Sequence, residues 1–258
     1  MTVTDDLMEA AQCFRCGTDG DTVHRVEPFA VVSCPECRQV FVNPRLNEAG
    51  RLALYGDAAY FDAGVYATPR ASAMQRSWIN GRLDLISEYV EPSGSKIFEV
   101  GCAYGLFLAE ARSRGFEVAG LEFSPVAAET ASRLLDIDVI RGEVVDLGRD
   151  DDFDAMVFWD TIEHVPDPAA FIEAAGRMVR PGGIVALSCP YYDSLPARLL
   201  GTRWWTLKPH KHIWHFTTKG IRRLLGEHGM TVLKVIRNPV RRANLARLDS
   251  MVVVARRD

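Results

Sequence analysis

A strand, a glycine-containing turn, a helix and a second strand follow one another in the middle of the chain, and this unit restricts the fold more than any other feature. Residues 97–100 form an apolar strand that runs directly into the turn 101–105, and residues 106–113 have the pattern of a helix. The second strand, residues 116–121, ends in Glu122. Apolar strands and helical stretches continue to alternate towards the C-terminus. The sequence therefore predicts an α/β fold with a doubly wound, mostly parallel sheet.

The turn after the first strand has the composition of a ligand-binding loop. Gly101 and Gly105 allow tight turning and the close approach of a ligand to the backbone. The free N–H groups at the start of the following helix favour an anionic group such as a carboxylate. Glu99 and Glu122 lie at the ends of the two strands, where folds of this class bind ligands, and Glu122 follows Gly101 by 21 residues. An acid at that place can accept hydrogen bonds from both hydroxyl groups of a ribose.

Two cofactors carry a ribose that suits this acid: a nicotinamide dinucleotide and S-adenosylmethionine (SAM). A pyrophosphate-binding turn needs the spacing G-x-G-x-x-G, whereas Gly101 is followed by Cys-Ala-Tyr-Gly-Leu. The arrangement E-x-G-x-x-x-G, from Glu99 to Gly105, instead resembles the first motif of the class I SAM-dependent methyltransferases. The resemblance extends over residues 95–258 and implies a seven-stranded, Rossmann-like sheet.

The resemblance also implies which residues contact SAM. Glu122 matches the ribose-binding acid of the family, Gly142-Glu143 matches the turn that flanks adenine, and Phe158-Trp159-Asp160 matches the end of the fourth strand. Ala103 stands where the family usually has a glycine. The implied cofactor-binding residues are Glu99, Gly101, Cys102, Ala103, Gly105, Glu122, Phe123, Glu143, Val144, Asp160 and Thr161.

A Glu-His pair follows the fourth strand and faces the same crevice. Glu163 and His164 stand in the sequence Glu-His-Val-Pro-Asp-Pro, which looks like the corresponding loop of quinone and sugar methyltransferases. Imidazole can accept a proton near neutral pH. The resemblance implies His164 as the catalytic base and Glu163 as its orienting partner or a second base. The alternative is a structural histidine that is hydrogen-bonded to the backbone.

Four cysteines near the N-terminus have the spacing C-x2-C-x17-C-x2-C, at Cys13, Cys16, Cys34 and Cys37. Two such turns can place four thiolates around one zinc ion, as in zinc ribbons. With all four positions filled by sulfur, the zinc would be structural. Disulfide pairing and a redox role are the alternatives that the spacing and the absence of a secretory signal disfavour.

The chain is expected to contain a zinc ribbon at residues 1–45, a helical cap or lid at 46–92 and a SAM-binding core at 93–258. Cys34-Pro-Glu-Cys37, followed by Phe-Val-Asn-Pro-Arg, resembles the start of bacterial methyltransferases that modify sugars and secondary metabolites. The cap carries a helix near residues 47–54, an aromatic stretch from Tyr55 to Tyr66 and a longer helix near residues 69–90.

A long segment, residues 190–217, interrupts the core and is rich in aromatic and histidine residues. Loops of this length usually have a task, and this one is expected to form a lid over the methyl acceptor. Packing of its aromatic residues against the core is the alternative, and a metal site formed by its three histidines is another. The substrate residues proposed from sequence are Tyr66, Tyr191, Tyr192, His210, His212 and His215.

Charge and hydropathy restrict the partners. The net charge of −4 argues against a chain-wide nucleic-acid surface, although Arg203 to Asp258 carry thirteen Lys or Arg against three Asp or Glu. That basic segment could serve a phosphorylated substrate or could be a solvated face. No apolar run approaches the ~20 residues of a membrane span, and the N-terminus has no signal-peptide pattern, so we expect a cytoplasmic protein. The sequence gives no indication of oligomeric state.

Three functions are compatible with these features. The first is methyl transfer from SAM to a small molecule such as a sugar, a sugar nucleotide or a secondary metabolite, at oxygen or carbon. The second is methylation of rRNA or tRNA, with the ribbon and the basic segment as the RNA-binding parts. The third is a binding module without catalysis, which the intact Glu99, Gly101, Gly105 and Glu122 argue against.

Overall fold

The computed structural model describes residues 4–56, 72–137, 139–148, 150, 152–237 and 248–258. Within these residues, no helix combines the length and the apolar character needed to cross a bilayer. Tyr66 and the start of the helix expected near residues 69–90 lie outside the described residues.

The N-terminal part consists of short strands followed by two helices. Its strands are β1 (Met8–Glu9), β2 (Asp21–Val26), β3 (Phe29–Ser33), β4 (Val40–Val42) and β5 (Arg45–Leu46), and its helices are α1 (Glu48–Tyr55) and α2 (Ala73–Ser87). The side chain of Asn47 accepts a hydrogen bond from the N–H of Gly50 and so caps α1, as the sequence predicts. Ser72 and Gln75 form a capping box at the start of α2.

The C-terminal part alternates strands and helices. Its strands are β6 (Lys96–Val100), β7 (Glu117–Glu122), β8 (Val139–Arg141), β9 (Phe153–Trp159), β10 (Val179–Pro190), β11 (Trp214–His215), β12 (Met230–Arg237) and β13 (Ser250–Arg257). Its helices are α3 (Leu106–Ser113), α4 (Pro125–Leu135), α5 (Pro168–Met178), α6 (Leu195–Leu200) and α7 (Thr218–Glu227). The helix predicted over residues 106–113 has the predicted bounds.

Seven strands form one twisted sheet in the order β12-β13-β10-β9-β6-β7-β8. The pairs β6–β7, β7–β8, β6–β9 and β9–β10 are parallel. β13 runs antiparallel to both β10 and β12. The order reverses beside β6, so the carboxyl ends of β6, β7 and β9 open onto one crevice. This arrangement confirms the predicted fold class.

The cysteine-containing ribbon is joined to the core and does not stand apart from it. β4 pairs with β11, so strands far apart in sequence complete a four-stranded sheet in the order β11-β4-β3-β2. Phe41 and Trp214 are fully buried within the same hydrophobic cluster as the centre of β9 and β10, and their rings lie 5.5 Å apart. The predicted ribbon and core therefore share a hydrophobic core.

Candidate active site

A cavity of about 340 Å³ opens at the carboxyl ends of β6, β7 and β9. Its volume is in the range of small-molecule sites. The cavity lies beside β6, where the strand order reverses and folds of this class bind their ligands. The residues proposed from sequence that line it are Gly101, Ala103, Glu122, Phe123, Glu143, Val144, Asp160, Thr161 and His164.

The turn after β6 contains residues with positive φ, a backbone conformation that glycine adopts more easily than other residues. Gly101 has φ +73°, and a Cβ there would lie 2.9 Å from the Oγ1 of Thr161. A side chain at Gly101 would therefore fill the floor of the cavity. Ala103, at the position where the class I methyltransferases usually have a glycine, also has a positive φ of 48°. An alanine in this region costs about 1–2 kcal/mol relative to glycine, so the turn stores strain beside the cavity.

The variant Ala103→Gly tests this strain. The substitution destabilises the protein by the lost burial of a methyl group (~0.8 kcal/mol) and by the larger chain entropy of glycine in the unfolded state (~0.5–1 kcal/mol). Relief of the strain at positive φ should offset both, so the free energy of unfolding should stay within about 0.5 kcal/mol of wild type. The matched control Ala109→Gly, in the middle of α3, should lose about 1 kcal/mol. Urea unfolding of the two variants measures both values. An equal loss of unfolding free energy in Ala103→Gly and Ala109→Gly would mean that Ala103 carries no strain.

Glu122 is held rigidly at the end of β7. Its two carboxylate oxygens accept hydrogen bonds from the backbone N–H groups of Ala103 and Ser124, each at 2.8 Å. Burial raises the pKa of Glu122, although the N–H groups of Ser124, Ala103 and Phe123 lower it. Each oxygen keeps a second lone pair, so the carboxylate can accept two further hydrogen bonds in the cavity.

Glu99, Cys102 and Gly105 support the turn from behind and do not line the cavity. Burial raises the pKa of Glu99 well above its usual range, although the charge of Arg82 lowers it. Arg82, on α2, lies over the ring of Trp159 and donates to Ser188 and, at 3.4 Å, to Asp160. Gly105 begins α3, and a Cβ there would lie 2.4 Å from the side chain of Leu135.

One wall of the cavity comes from α1, which no sequence motif predicted. Arg51 donates to Glu143 at 2.7 Å and lies 5.0 Å over the ring of Phe123. Tyr55 packs edge-on against Phe123 and reaches His164. The aromatic stretch that begins at Tyr55 predicted a cap here, but Arg51 had no signal in the sequence because its partners lie more than 70 residues away.

His164 lies in a 3-10 turn, Ile162–His164, directly after β9. Its Nδ1 lies 2.9 Å from the carbonyl oxygen of Lys211 and 2.9 Å from the hydroxyl of Tyr55. A carbonyl only accepts, which assigns the proton to Nδ1 and leaves a lone pair on Nε2. Burial lowers the pKa of His164 to about 4, so the ring is neutral at pH 7.

Glu163 does not orient His164 in the way that the resemblance implied. Its Oε1 lies 3.9 Å from Nε2 of His164, on the opposite side of the ring from the atoms that hold Nδ1. The Lys211 carbonyl therefore orients the imidazole. The Glu163 carboxylate is available for another task.

The segment between β10 and α7 packs more deeply than a lid over the acceptor would. Tyr191 and His215 are buried, and none of Tyr191, Tyr192, His210, His212 and His215 lines the cavity. The hydroxyl of Tyr192 pairs with His24, and the ring of His215 packs against the rings of both Tyr192 and Trp204. This arrangement favours the packing alternative. The three histidines of the segment also do not gather into one metal site: of the three, only His212 joins a cluster of possible ligands within the described part of the chain.

The four N-terminal cysteines come together. All four are free thiols, and their sulfur atoms lie within 4.8 Å of one another. Cys13 Sγ and Cys37 Sγ are 3.5 Å apart, close to the roughly 3.8 Å between ligands of a tetrahedral zinc–thiolate site. Burial raises the pKa of Cys34, but the N–H of Cys37 and the hydroxyl of Thr18 outweigh it and bring the pKa to about 6. The donor set fits a zinc ion.

A seven-stranded sheet of this order, with a cavity and a buried acid at its carboxyl edge, defines the class I methyltransferase fold. The chain matches the methyltransferase domain family over residues 71–235, and it belongs to that family. This finding confirms the family that the sequence motifs indicated.

Individual relatives support the same assignment. The chain is 35% identical over 116 residues to the ubiquinone biosynthesis O-methyltransferase of Xanthomonas axonopodis, covering 42% of this chain and 48% of that protein. The enzyme of the same name from Xylella fastidiosa is 36% identical over 116 residues, with 42% and 46% covered. The chain therefore spans about half the length of the curated relatives it matches.

Solved structures share the fold at low sequence identity. The magnesium protoporphyrin IX methyltransferase of Synechocystis, solved with bound SAH, gives a TM-score of 0.63 at 14% identity and covers 82% of this chain and all 100% of that one. A SAM-dependent methyltransferase from Mesorhizobium loti gives 0.56 at 20% identity, covering 69% and 98%.

Proposed function

We propose that this protein transfers a methyl group from SAM to a hydroxyl group of a small molecule. The observation that carries the proposal is the rigid Glu122 carboxylate at the rim of the cavity, beside a strained turn that leaves room for a ligand. Family membership supports methyl transfer as the reaction.

The cavity offers separate contacts for the parts of SAM. The two remaining lone pairs of the Glu122 carboxylate match the two ribose hydroxyls. Phe123 and Val144 supply apolar surface for the adenine, and Glu143 lies at the same end. Gly101 and Ala103, in the turn beside Glu122, line the part of the cavity proposed for the methionine part. Methyl transfer then needs the acceptor oxygen to lie in line with the sulfonium.

The acceptor is proposed to occupy the end of the cavity formed by Val165, Pro166 and Phe171. These side chains are apolar, which suits a ring or chain that carries the hydroxyl. The name of the matching relatives, ubiquinone biosynthesis O-methyltransferase, supports oxygen as the accepting atom and a hydroxylated intermediate of ubiquinone biosynthesis as one candidate. Sugars and secondary metabolites remain candidates from the N-terminal resemblance. Two titratable residues line this end, His164 and Asp167, and the side chain of Asp167 caps α5. His164 is therefore proposed to meet the hydroxyl.

We also infer that Cys13, Cys16, Cys34 and Cys37 hold a structural zinc ion. All four ligand positions would be filled by sulfur, so this ion would take no part in the reaction. Its role would be to fix the turns that precede β2 and β4.

The variant Glu122→Gln tests cofactor binding. It keeps the size of the side chain but removes the charge and one acceptor pair, and charge-assisted hydrogen bonds are worth about 1.5–3 kcal/mol each. The dissociation constant for SAM in calorimetry should rise about 10- to 100-fold. Glu117→Gln, at the exposed start of the same strand, is the matched control and should bind SAM as wild type does. An unchanged constant in Glu122→Gln would place the ribose elsewhere.

A further inference from the structure

Glu163, His164 and His212 form a second cluster of possible metal ligands, separate from the four cysteines. One ligand atom of each lies within 4.8 Å of the others. His212 comes from the segment between β10 and α7, and the rings of His164 and His212 pack edge to face with centroids 4.8 Å apart. No local motif contains this set, because 48 residues separate the two histidines.

Backbone carbonyls fix both imidazoles in the tautomer that a metal needs. Nδ1 of His164 donates to the carbonyl of Lys211 at 2.9 Å, and Nδ1 of His212 donates to the carbonyl of Thr206 at 2.7 Å. Each ring therefore keeps the lone pair of Nε2 available for a metal ion. A histidine whose second nitrogen donates to a carbonyl is the usual arrangement around a bound metal.

The carboxylate of Glu163 lacks the partners that a buried acid normally has. Its side chain is 2% exposed, and neither oxygen has a hydrogen-bond partner among the described residues. A buried carboxylate is costly unless it is protonated, paired or bound to a cation. The two neutral imidazoles beside Glu163 carry no positive charge that could pair with its carboxylate, but each offers a lone pair. The three side chains together are therefore suited to bind a cation.

The fold holds these three residues together. The N–H of Ile213 donates to the carbonyl of Glu163 at 2.9 Å, and the indole N–H of Trp214 donates to the carbonyl of Val165 at 2.8 Å. These bonds tie the residues next to His212 to the turn that carries Glu163 and His164. The ligand atoms are thus placed by rigid backbone contacts, and small side-chain shifts would bring them to the roughly 3–4 Å that separates the ligands of one ion.

We propose that Glu163, His164 and His212 bind a divalent first-row transition-metal ion at the edge of the active-site cavity. Two imidazoles and one carboxylate form a ligand set that zinc, iron and manganese accept. Three protein ligands leave further positions open, in contrast to the four-sulfur site of the ribbon. His210 and His215 are not part of this site.

The position of the site suggests a task for the ion, and this part rests on the proposed function. His164 lines the cavity, so an ion on its Nε2 can take the acceptor's hydroxyl oxygen as a further ligand. Coordination lowers the pKa of the hydroxyl, which releases its proton to water. The oxygen then attacks the methyl carbon, the carbon–sulfur bond breaks, and the sulfur keeps the electron pair. His164 would then act through the ion and would not itself take the proton.

Titration with Co2+ of protein that carries one zinc ion per chain tests the site, because the four-sulfur ribbon then holds the zinc and the second site is still empty. Calorimetry should give one further equivalent, and the absorption spectrum should lack a thiolate-to-cobalt charge-transfer band. Glu163→Gln and His212→Gln should each weaken Co2+ binding by about 100-fold or more, since even second-shell changes cost 10- to 100-fold. His210→Gln, two residues away in the same segment, is the matched control and should keep wild-type Co2+ affinity.

A crystal soaked in Co2+ should show an anomalous peak between the three side chains. No uptake beyond the ribbon zinc would overturn the proposal, as would uptake that survives both Glu163→Gln and His212→Gln. A charge-transfer band would assign the cobalt to the cysteines and would also overturn it. SAM affinity, measured separately for each variant, should remain at the wild-type value, so failure of the metal site and failure of the cofactor site give different results.

Discussion

Cys34→Ser is expected to remove the zinc inferred for the ribbon, to lower the melting temperature steeply and to abolish the proposed methyl transfer. Structural zinc contributes on the order of 10–16 kcal/mol in small zinc-binding peptides, which equals or exceeds the net stability of an ordinary domain. Cys34 is fully buried, and its sulfur accepts from the backbone N–H of Cys37. The serine variant would therefore lose a metal ligand at the centre of the site.

The effect should reach the active site because the ribbon and the core share a sheet. β4 pairs with β11, the N–H of Val42 donates to the carbonyl of Ile213, and Phe14 and Phe41 both pack on Trp214. Loss of the ribbon would expose Trp214 and release the segment that holds His164 through the carbonyl of Lys211.

Three measurements on Cys34→Ser test this chain of effects: zinc content, tryptophan fluorescence and turnover. The control is Cys189→Ala, which removes a buried thiol outside the ribbon and should keep one zinc per chain. A zinc-free Cys34→Ser protein with native fluorescence and normal turnover would show that the ribbon and the site are independent.

His164→Ala is expected to lower turnover about 100- to 10,000-fold while SAM affinity stays near wild type. The magnitude is that of losing a group that assists proton removal. His164 lies next to Val165 and Pro166, where the acceptor is proposed to bind, and it contacts Tyr55, which in turn packs on Phe123, so its loss should spare the cofactor. His228→Ala, at the end of α7 and not among the residues that line the cavity, is the matched control.

Single-turnover rates and calorimetry with SAM separate the two quantities. Normal rates with weak SAM binding would contradict the role given to His164. His212→Gln distinguishes the ways in which His164 could act. A base that works alone should tolerate the loss of His212, whereas an ion held by both histidines should not.

The parts of the fold that the sequence predicted are those encoded locally. The strand, turn and helix around Gly101 and Gly105 follow from a contiguous pattern, and the family resemblance added the order of strands and the acid at Glu122. The described N-terminal helix also began at its predicted cap, Asn47.

The parts that the sequence did not predict depend on contacts between distant segments. The pairing of β4 with β11 joins residues more than 170 positions apart, and two short strands carry no pattern that specifies a partner. The same applies to the approach of His212 to Glu163, which depends on how the segment after β10 folds back. The aromatic content of this segment does not distinguish a lid from packing against the core, because the same side chains serve both purposes.

The ion pair between Arg51 and Glu143 has a consequence for cofactor binding. It joins α1 to the turn after β8 and bridges the end of the cavity where the adenine would bind. A cofactor bound at that end would therefore touch Arg51 as well as Phe123, although the two residues come from different parts of the chain. Under the proposed function, the N-terminal helix would contribute to the affinity for SAM as well as to the fold.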